Sequence, residues 1–304
     1  MSSTKPAPSE KPEAVAGAAA PIVVGFDESR EGRDALELAR VLCEVRRARC
    51  IVATVIEWGP VSVRRALTDA EESEAEPLFE QARKALSGLE VETRVVGTRS
   101  PGRMLAELAE REHASTLVLG APHHRSSAGR ALLGSVAEHL LHHSPCAVAI
   151  APRGYGDTSL THAGLDQVSV AFDGTSESQN ALRHAEDLAA AAGATIQILV
   201  AKDPLVTGVE ADSHHGELGS GEQVLEQAVS SVRDSLQANG KLLEPPGRET
   251  VTTVAEVLAK ACDGSILVCG SRPAADRILL ASVTKRVIEM SVHPVLVVPA
   301  AAVK

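Results

Sequence analysis

Between Leu117 and Val136 the sequence reads LVLGAPHHRSSAGRALLGSV. An apolar run stops at Gly120, a loop rich in His, Arg and Ser follows, and Gly134-Ser135 opens a second apolar pattern. A strand that hands a glycine and a basic, hydroxyl-rich loop to a helix N-terminus builds an anion site. The first backbone N–H groups of the helix are free there, and its dipole favours negative charge. His123 in this loop is a potential phosphate donor, and His124, Arg125 and Arg130 add cations. A second polar group stands elsewhere: Asp27 ends the apolar run PIVVGFD, and Asp173 ends VSVAFD. Plainer uses compete with these. A strand-end Asp caps the next turn or helix, and Ser135-x-x-Glu138 reads as a capping box that would use the same N–H groups as a phosphate. His123-His124 have no Cys or acid at ligand spacing nearby, so no metal is expected. His139, His142 and His143 lie near a helix C-terminus, where cations are favoured.

The elements that must position these residues alternate. Buried strands are expected at Pro21 to Asp27, Cys50 to Glu57, Leu89 to Val96, Thr116 to Gly120 and Cys146 to Ala151, with helices between them. Thr68-x-x-Glu71 is a capping box for a charged helix running to about Ser87, and Ser100-Pro101 places an N-cap before Pro at the first helical position. Trp58 follows the second strand and would rim a pocket there. After a Gly/Thr/Ser linker, Arg153 to Asp166, the pattern restarts. Asp27 matches Asp173 (173 − 27 = 146), Gly120 matches Gly270 (270 − 120 = 150) and Pro145 matches Pro294 (294 − 145 = 149). In this second copy Ser220-x-x-Gln223 caps a long helix, and Thr250 to Leu258 carries the third strand into a third helix. The chain is therefore read as a disordered tail (1–20), a first domain (21–152), a linker (153–166), a second domain (167–299) and a short tail (300–304). Each domain is a doubly wound α/β unit with a five-stranded parallel sheet. Strand order 3-2-1-4-5 would make Asp27 and Gly120 neighbours at the carboxyl ends, where such sheets hold ligands.

Composition narrows the function. The chain has 304 residues, about two domains' worth. Its formal net charge of −10 argues against nucleic acid or an anionic membrane as a partner, and 2% aromatic residues leave little for base-stacking surfaces. No run of about 18 apolar residues is present. Pro, Glu and Lys interrupt the N-terminal stretch, so it does not read as a signal peptide and the expected location is cytoplasmic. The five cysteines form no CxxC and are expected to be reduced and mostly buried.

VVGFDESREGRDAL and VAFDGTSESQNAL resemble the V-G-x-D-G-S-x-x-S-x-x-A-L opening of the universal stress protein family. LVLGAPHH…LLGSVAEHLLHHSPCAVAIAP and LVCGSR…LLASVTKRVIEMSVHPVLVVP resemble its G-x2-G-x9-G-[S/T] loop and final strand. The resemblance covers both halves, in tandem form. It implies a Rossmann-like, adenine-nucleotide alpha-hydrolase-like fold, paired through the last strand either within one chain or as a homodimer. It also implies, for one branch of the family, an ATP site, with or without Mg²⁺. Carried over by motif, Asp27 would meet the adenosine end and the backbone around Val55 the adenine. Gly120, His123, Gly134, Ser135 and Val136 would surround ribose and phosphates. The departures are specific. His123 stands where the pattern has its second glycine, Glu28 replaces the glycine after Asp27, and Gly134 lies one residue late. In the second half Pro273 takes the glycine position, and Ser282 follows Gly270 by only 12 residues (282 − 270) with no glycine between. One ATP site in the N-terminal half is expected, the second being degenerate. No Walker A, nucleophile elbow or pyrophosphatase Ser-Gly-Gly loop occurs, so a non-enzymatic stress-response regulator is the first reading. A nucleotide-free scaffold and a weak Mg²⁺-dependent ATPase are the alternatives.

Overall fold

A computed structural model describes residues 19–58, 67–121, 133–157, 164–202, 220–245, 251–271 and 280–300. In the first half the elements are β1 Ala19–Gly25, α1 Arg30–Arg46, β2 Ala48–Glu57, α2 Asp69–Ala85, β3 Val91–Thr98, α3 Pro101–Arg111, β4 Thr116–Gly120, α4 Ser135–His143 and β5 Ala147–Ala151. The second half repeats them as β6 Gln167–Ala171, α5 Ser176–Ala192, β7 Thr195–Ala201, α6 Gly221–Ser231, β8 Ala238–Leu243, α7 Val251–Ala261, β9 Ile266–Ser271, α8 Leu280–Met290 and β10 Val295–Pro299. Among the described residues between the halves, Tyr155–Asp157 forms a 3₁₀ turn.

The ten strands form one sheet in the order β3-β2-β1-β4-β5-β10-β9-β6-β7-β8. Each half has the expected 3-2-1-4-5 order, with its strands parallel. The halves join where β5 meets β10 antiparallel, with Leu296 opposite Ala149. Side chains alternate across the sheet, as pleating requires. Ile22 and Val24 face a core capped by α1, α2, α5 and α6, whereas Val23 faces one capped by α3, α4, α7 and α8. Both faces of the inner strands are covered, which is why they read as continuous apolar runs. On the second face the halves also touch through helices: Lys285 Nζ of α8 donates to Glu138 of α4 at 3.0 Å.

Several boundaries differ from expectation. β1 begins at Ala19, which pairs with Ala48, so Ala19 and Ala20 belong to a strand and not to the expected tail, the rest of which lies outside the described residues. Leu89 closes the turn after α2 by donating to Leu86 O, and β3 starts at Val91. The second half's third strand is Ala238–Leu243; of the stretch expected to carry it, Thr250 lies outside the described residues and Val251 onward is helix α7. That strand, ANGKLL, lies at the outer edge of the sheet with Asn239, Gly240 and Lys241 exposed, so no apolar pattern marks it. The helix capped by Ser220 is short, ending at Ser231. All five cysteines are free and buried. No helix among the described residues is long and apolar enough to cross a membrane.

Candidate functional site

The register of the sheet sets the site. Gly25 pairs with Ala53 and Val24 with Val118. Continued to the carboxyl edge, the same steps bring Asp27, Val55 and Ala121 to one level, on three adjacent strands. β1 still runs beside β2 at Phe26, whose N–H donates to Ala53 O at 2.9 Å, and then departs into α1. Cys50 and Trp58 donate their N–H groups toward the β3 side. By the two-residue alternation of a strand, the N–H and C=O of Val55 face the other way, toward the place that β1 has just left. Val55 thus offers a backbone donor and acceptor at the sheet edge.

Asp27 is held by its own turn. Its Oδ1 accepts from Ser29 N at 3.1 Å and from the Ser29 hydroxyl, while Ser29 Oγ caps α1 by accepting from Gly32 N at 2.9 Å. Asp173 does the same for α5, accepting from Thr175 N at 3.0 Å and Thr175 Oγ1 at 2.5 Å. Both acids therefore have one oxygen committed to a turn. Gly120 is equally committed. A Cβ there would lie 2.1 Å from Glu31 O in the first turn of α1, and one at Gly270 would lie 2.6 Å from Glu177 O. The first turn of α1 is wedged between Gly120 and Asp27, because a Cβ at Gly32 would lie 2.4 Å from Asp27 O. Gly32 escaped sequence reasoning. The signal was the internal repeat, which sets Ser178 opposite Gly32 (178 − 146 = 32).

At the other end of the loop, Gly134 is the N-cap of α4, with extended backbone and no side-chain cap. Ser135 is the first helical residue and is exposed. The capping box expected from Ser135 and Glu138 does not form. A capping hydroxyl must sit one residue before the helix, and that place is a glycine; Glu138 instead reaches Lys285 in the other half. The first N–H groups of α4, from Ser135 and Val136 onward, therefore have no side-chain acceptor at their cap among the described residues. His123 lies outside the described residues, as do His124, Arg125 and Arg130. Trp58 lies across Gly97 of β3, where a Cβ would come within 2.2 Å of the indole Cζ2. At the C-terminal end of α4 the rings of His139 and His143 stack with centroids 4.6 Å apart. Burial, then the nearby His143, Arg103 and His142, hold the His139 imidazolium below its ordinary value. Among the described residues no three His, Cys, Asp or Glu side chains are grouped to hold a metal. Among the described residues the arrangement sets a helix terminus whose N-cap has no side chain, a carboxylate and a strand-edge backbone pair along one edge.

The model of the universal stress protein family matches residues 19–152 and again residues 164–299. A universal stress protein of Mycobacterium tuberculosis strain H37Rv is 30% identical over 303 residues, covering 91% of this chain and 99% of that protein. A universal stress protein of Mycobacterium bovis matches with the same identity and coverage. Among solved structures, a universal stress protein from Archaeoglobus fulgidus superimposes with a TM-score of 0.68 at 20% identity, covering 93% of this chain and 99% of that one. The duplicated motifs, the two five-stranded halves and the two family matches coincide, so the chain belongs to the universal stress protein family, as a tandem of two family domains in one sheet.

Proposed function

We propose that the N-terminal half binds one adenine nucleotide, ATP, along the carboxyl edge between β1 and β4, and that the protein acts in the stress response by binding, not by turnover. The observation that carries this reading is the start of α4. Gly134 caps it without a side chain, which leaves its N–H groups available to phosphate oxygens at the positive end of the helix dipole. The base end fits the same frame. The backbone N–H and C=O of Val55 complement the ring nitrogen and amino group of adenine, and Asp27 stands level with them to accept from ribose or base. Mg²⁺ would accompany the phosphates as it does in solution. The second half has a shorter loop after Gly270 and is assigned no nucleotide.

A second reading has an observation of its own. Gly120 and Asp27 are both required by packing and turn formation, and Gly270 and Asp173 are used in the same way in the other half. A nucleotide-free pairing module would need them equally. Denaturing freshly purified protein and assaying released ATP, ADP and AMP separates the two, with close to one nucleotide per chain expected. None released, and no thermal shift at millimolar ATP, would leave the scaffold reading. Mg²⁺-dependent turnover that falls with Gly134→Glu would replace binding by hydrolysis. The same variant sets bulk and negative charge at the phosphate end, so it should abolish ATP binding; unaltered binding would put the site elsewhere.

A further inference from the structure

The segment that leaves β5 does not hang free. Asp34, in the second turn of α1, is 2% exposed, and its two carboxylate oxygens accept from the backbone N–H groups of Gly154 (2.7 Å) and Gly156 (3.0 Å). Tyr155 between them is buried, 3% exposed, and Asp157 N donates to Gly154 O at 3.1 Å, closing the 3₁₀ turn. Gly154 has φ +75°, a conformation that suits glycine. Asp157 then forms an ion pair with Arg30, the first residue of α1. Arg30 stands three residues after Asp27 and one before Glu31, whose carbonyl abuts Gly120. It is thus a cation on the helix turn that separates the two polar ends of the candidate site.

The second half is an internal control. The offset of 146 puts Asn180 at the place of Asp34 and Ser176 at the place of Arg30. Asn180 Nδ2 donates to Pro299 O, at 3.3 Å, at the last residue of β10. The carboxylate latch and the cation occur together, in the half whose loop retains the glycine at the helix start.

We infer that Arg153–Asp157 is an autoinhibitory strap on the nucleotide site: Asp157 holds Arg30, and the phosphates of a bound nucleotide draw Arg30 away and release the end of the strap into the linker between the halves. The inference rests on the nucleotide reading above. Its two contacts differ in strength, as such a device requires. Asp34 is buried and makes two charge-assisted bonds, so it anchors the strap. The Arg30–Asp157 pair is exposed, 46% and 68%, so a polyphosphate competes with it readily.

The experiment measures ATP affinity of the full chain and of three variants, with amide exchange of residues 153–157 followed in parallel. Asp157→Asn lies outside the nucleotide contacts and should tighten ATP binding by about two- to fivefold, the scale of an exposed ion pair. Arg30→Gln should weaken binding, and Asp157→Asn should then add nothing in that background. In the nucleotide-free protein the Gly154 and Gly156 amides should exchange slowly, and Asp34→Ala should expose both, because it removes both acceptor oxygens. ATP should speed exchange at Asp157. If the full chain binds ATP and Asp157→Asn leaves the affinity unchanged, the strap is not inhibitory and the nucleotide reading stands. If the full chain binds no ATP, both fall. Fast exchange of Gly154 and Gly156 in the full chain would remove the latch itself.

Discussion

A Cβ at Gly120 would collide with the carbonyl of Glu31 at 2.1 Å, and backbone cannot yield as a flexible side chain can. The strand end and the first turn of α1 would have to separate. Gly120→Ala is therefore expected to cost about 1–3 kcal/mol of stability, the range for overpacking, in urea unfolding without nucleotide. Gly270→Ala should cost a comparable amount, since Glu177 O stands 2.6 Å from its Cβ position. Unchanged stability together with lost ATP binding would assign Gly120 to the ligand alone. The same contact explains why a glycine at the end of β4 is weak testimony for a phosphate site by itself. It is needed twice, and only one copy has the longer loop.

At the scale of elements, local capping decides more than composition does. Thr68 completes a reciprocal capping box, accepting from Glu71 N while the Glu71 carboxylate accepts from Thr68 N at 2.9 Å. Ser100 occupies the N-cap of α3 and makes no side-chain cap bond, its φ of −139° and ψ of 87° turning the hydroxyl from the helix. Thr68→Ala should cost about 1 kcal/mol, and Ser100→Ala close to nothing, by urea midpoint. A larger loss at Ser100 would mean that its hydroxyl caps after all. Both sites place Ser or Thr before a helical pattern, and only Thr68 has an acid three residues on to complete a capping box. Reading failed where contacts between elements decide. The inner strands announced themselves as apolar runs, and the offset near 146–150 exposed the repeat. Asp27, Gly120 and Gly134 were legible because they punctuate strand ends and helix starts. β8 was not, because its edge position leaves Asn239, Gly240 and Lys241 to solvent. The strap was not, because RGYGD has linker composition until Asp34 is known to face it. Gly32 carried no pattern at all, only a mismatch with Ser178.

Across the whole molecule, one sheet and a seam of helices hold the halves together, and the seam carries a titrating group. α1 packs beside α5, where His184 Nδ1–H donates to Asn180 O at 3.1 Å. Burial holds its imidazolium below the ordinary 6.5; the Asn180 carbonyl opposes this, as does Asp187, while Arg46 and Arg183 add to it. Burial similarly lowers His139 and His293. In each case the folded state binds a proton less readily than the unfolded state. Stability is therefore complete above the unfolded value and declines as pH falls through it toward the folded one. The lowered carboxylates, Glu92, Glu222 and Asp263, have ordinary values of 4.5, 4.5 and 3.8, so their losses begin in stronger acid. Between about pH 7 and pH 5 the histidines set the slope. The urea midpoint should be lower at pH 5.5 than at pH 7.5, and His184→Gln should flatten part of that difference. Trp58, in the first half, and far-ultraviolet circular dichroism, from both halves, should report the same midpoint at each pH, because β5 and β10 make the halves one sheet. An equal or higher midpoint at pH 5.5 would contradict the seam's protonation cost. Two separated transitions would mean that the antiparallel junction does not couple the halves.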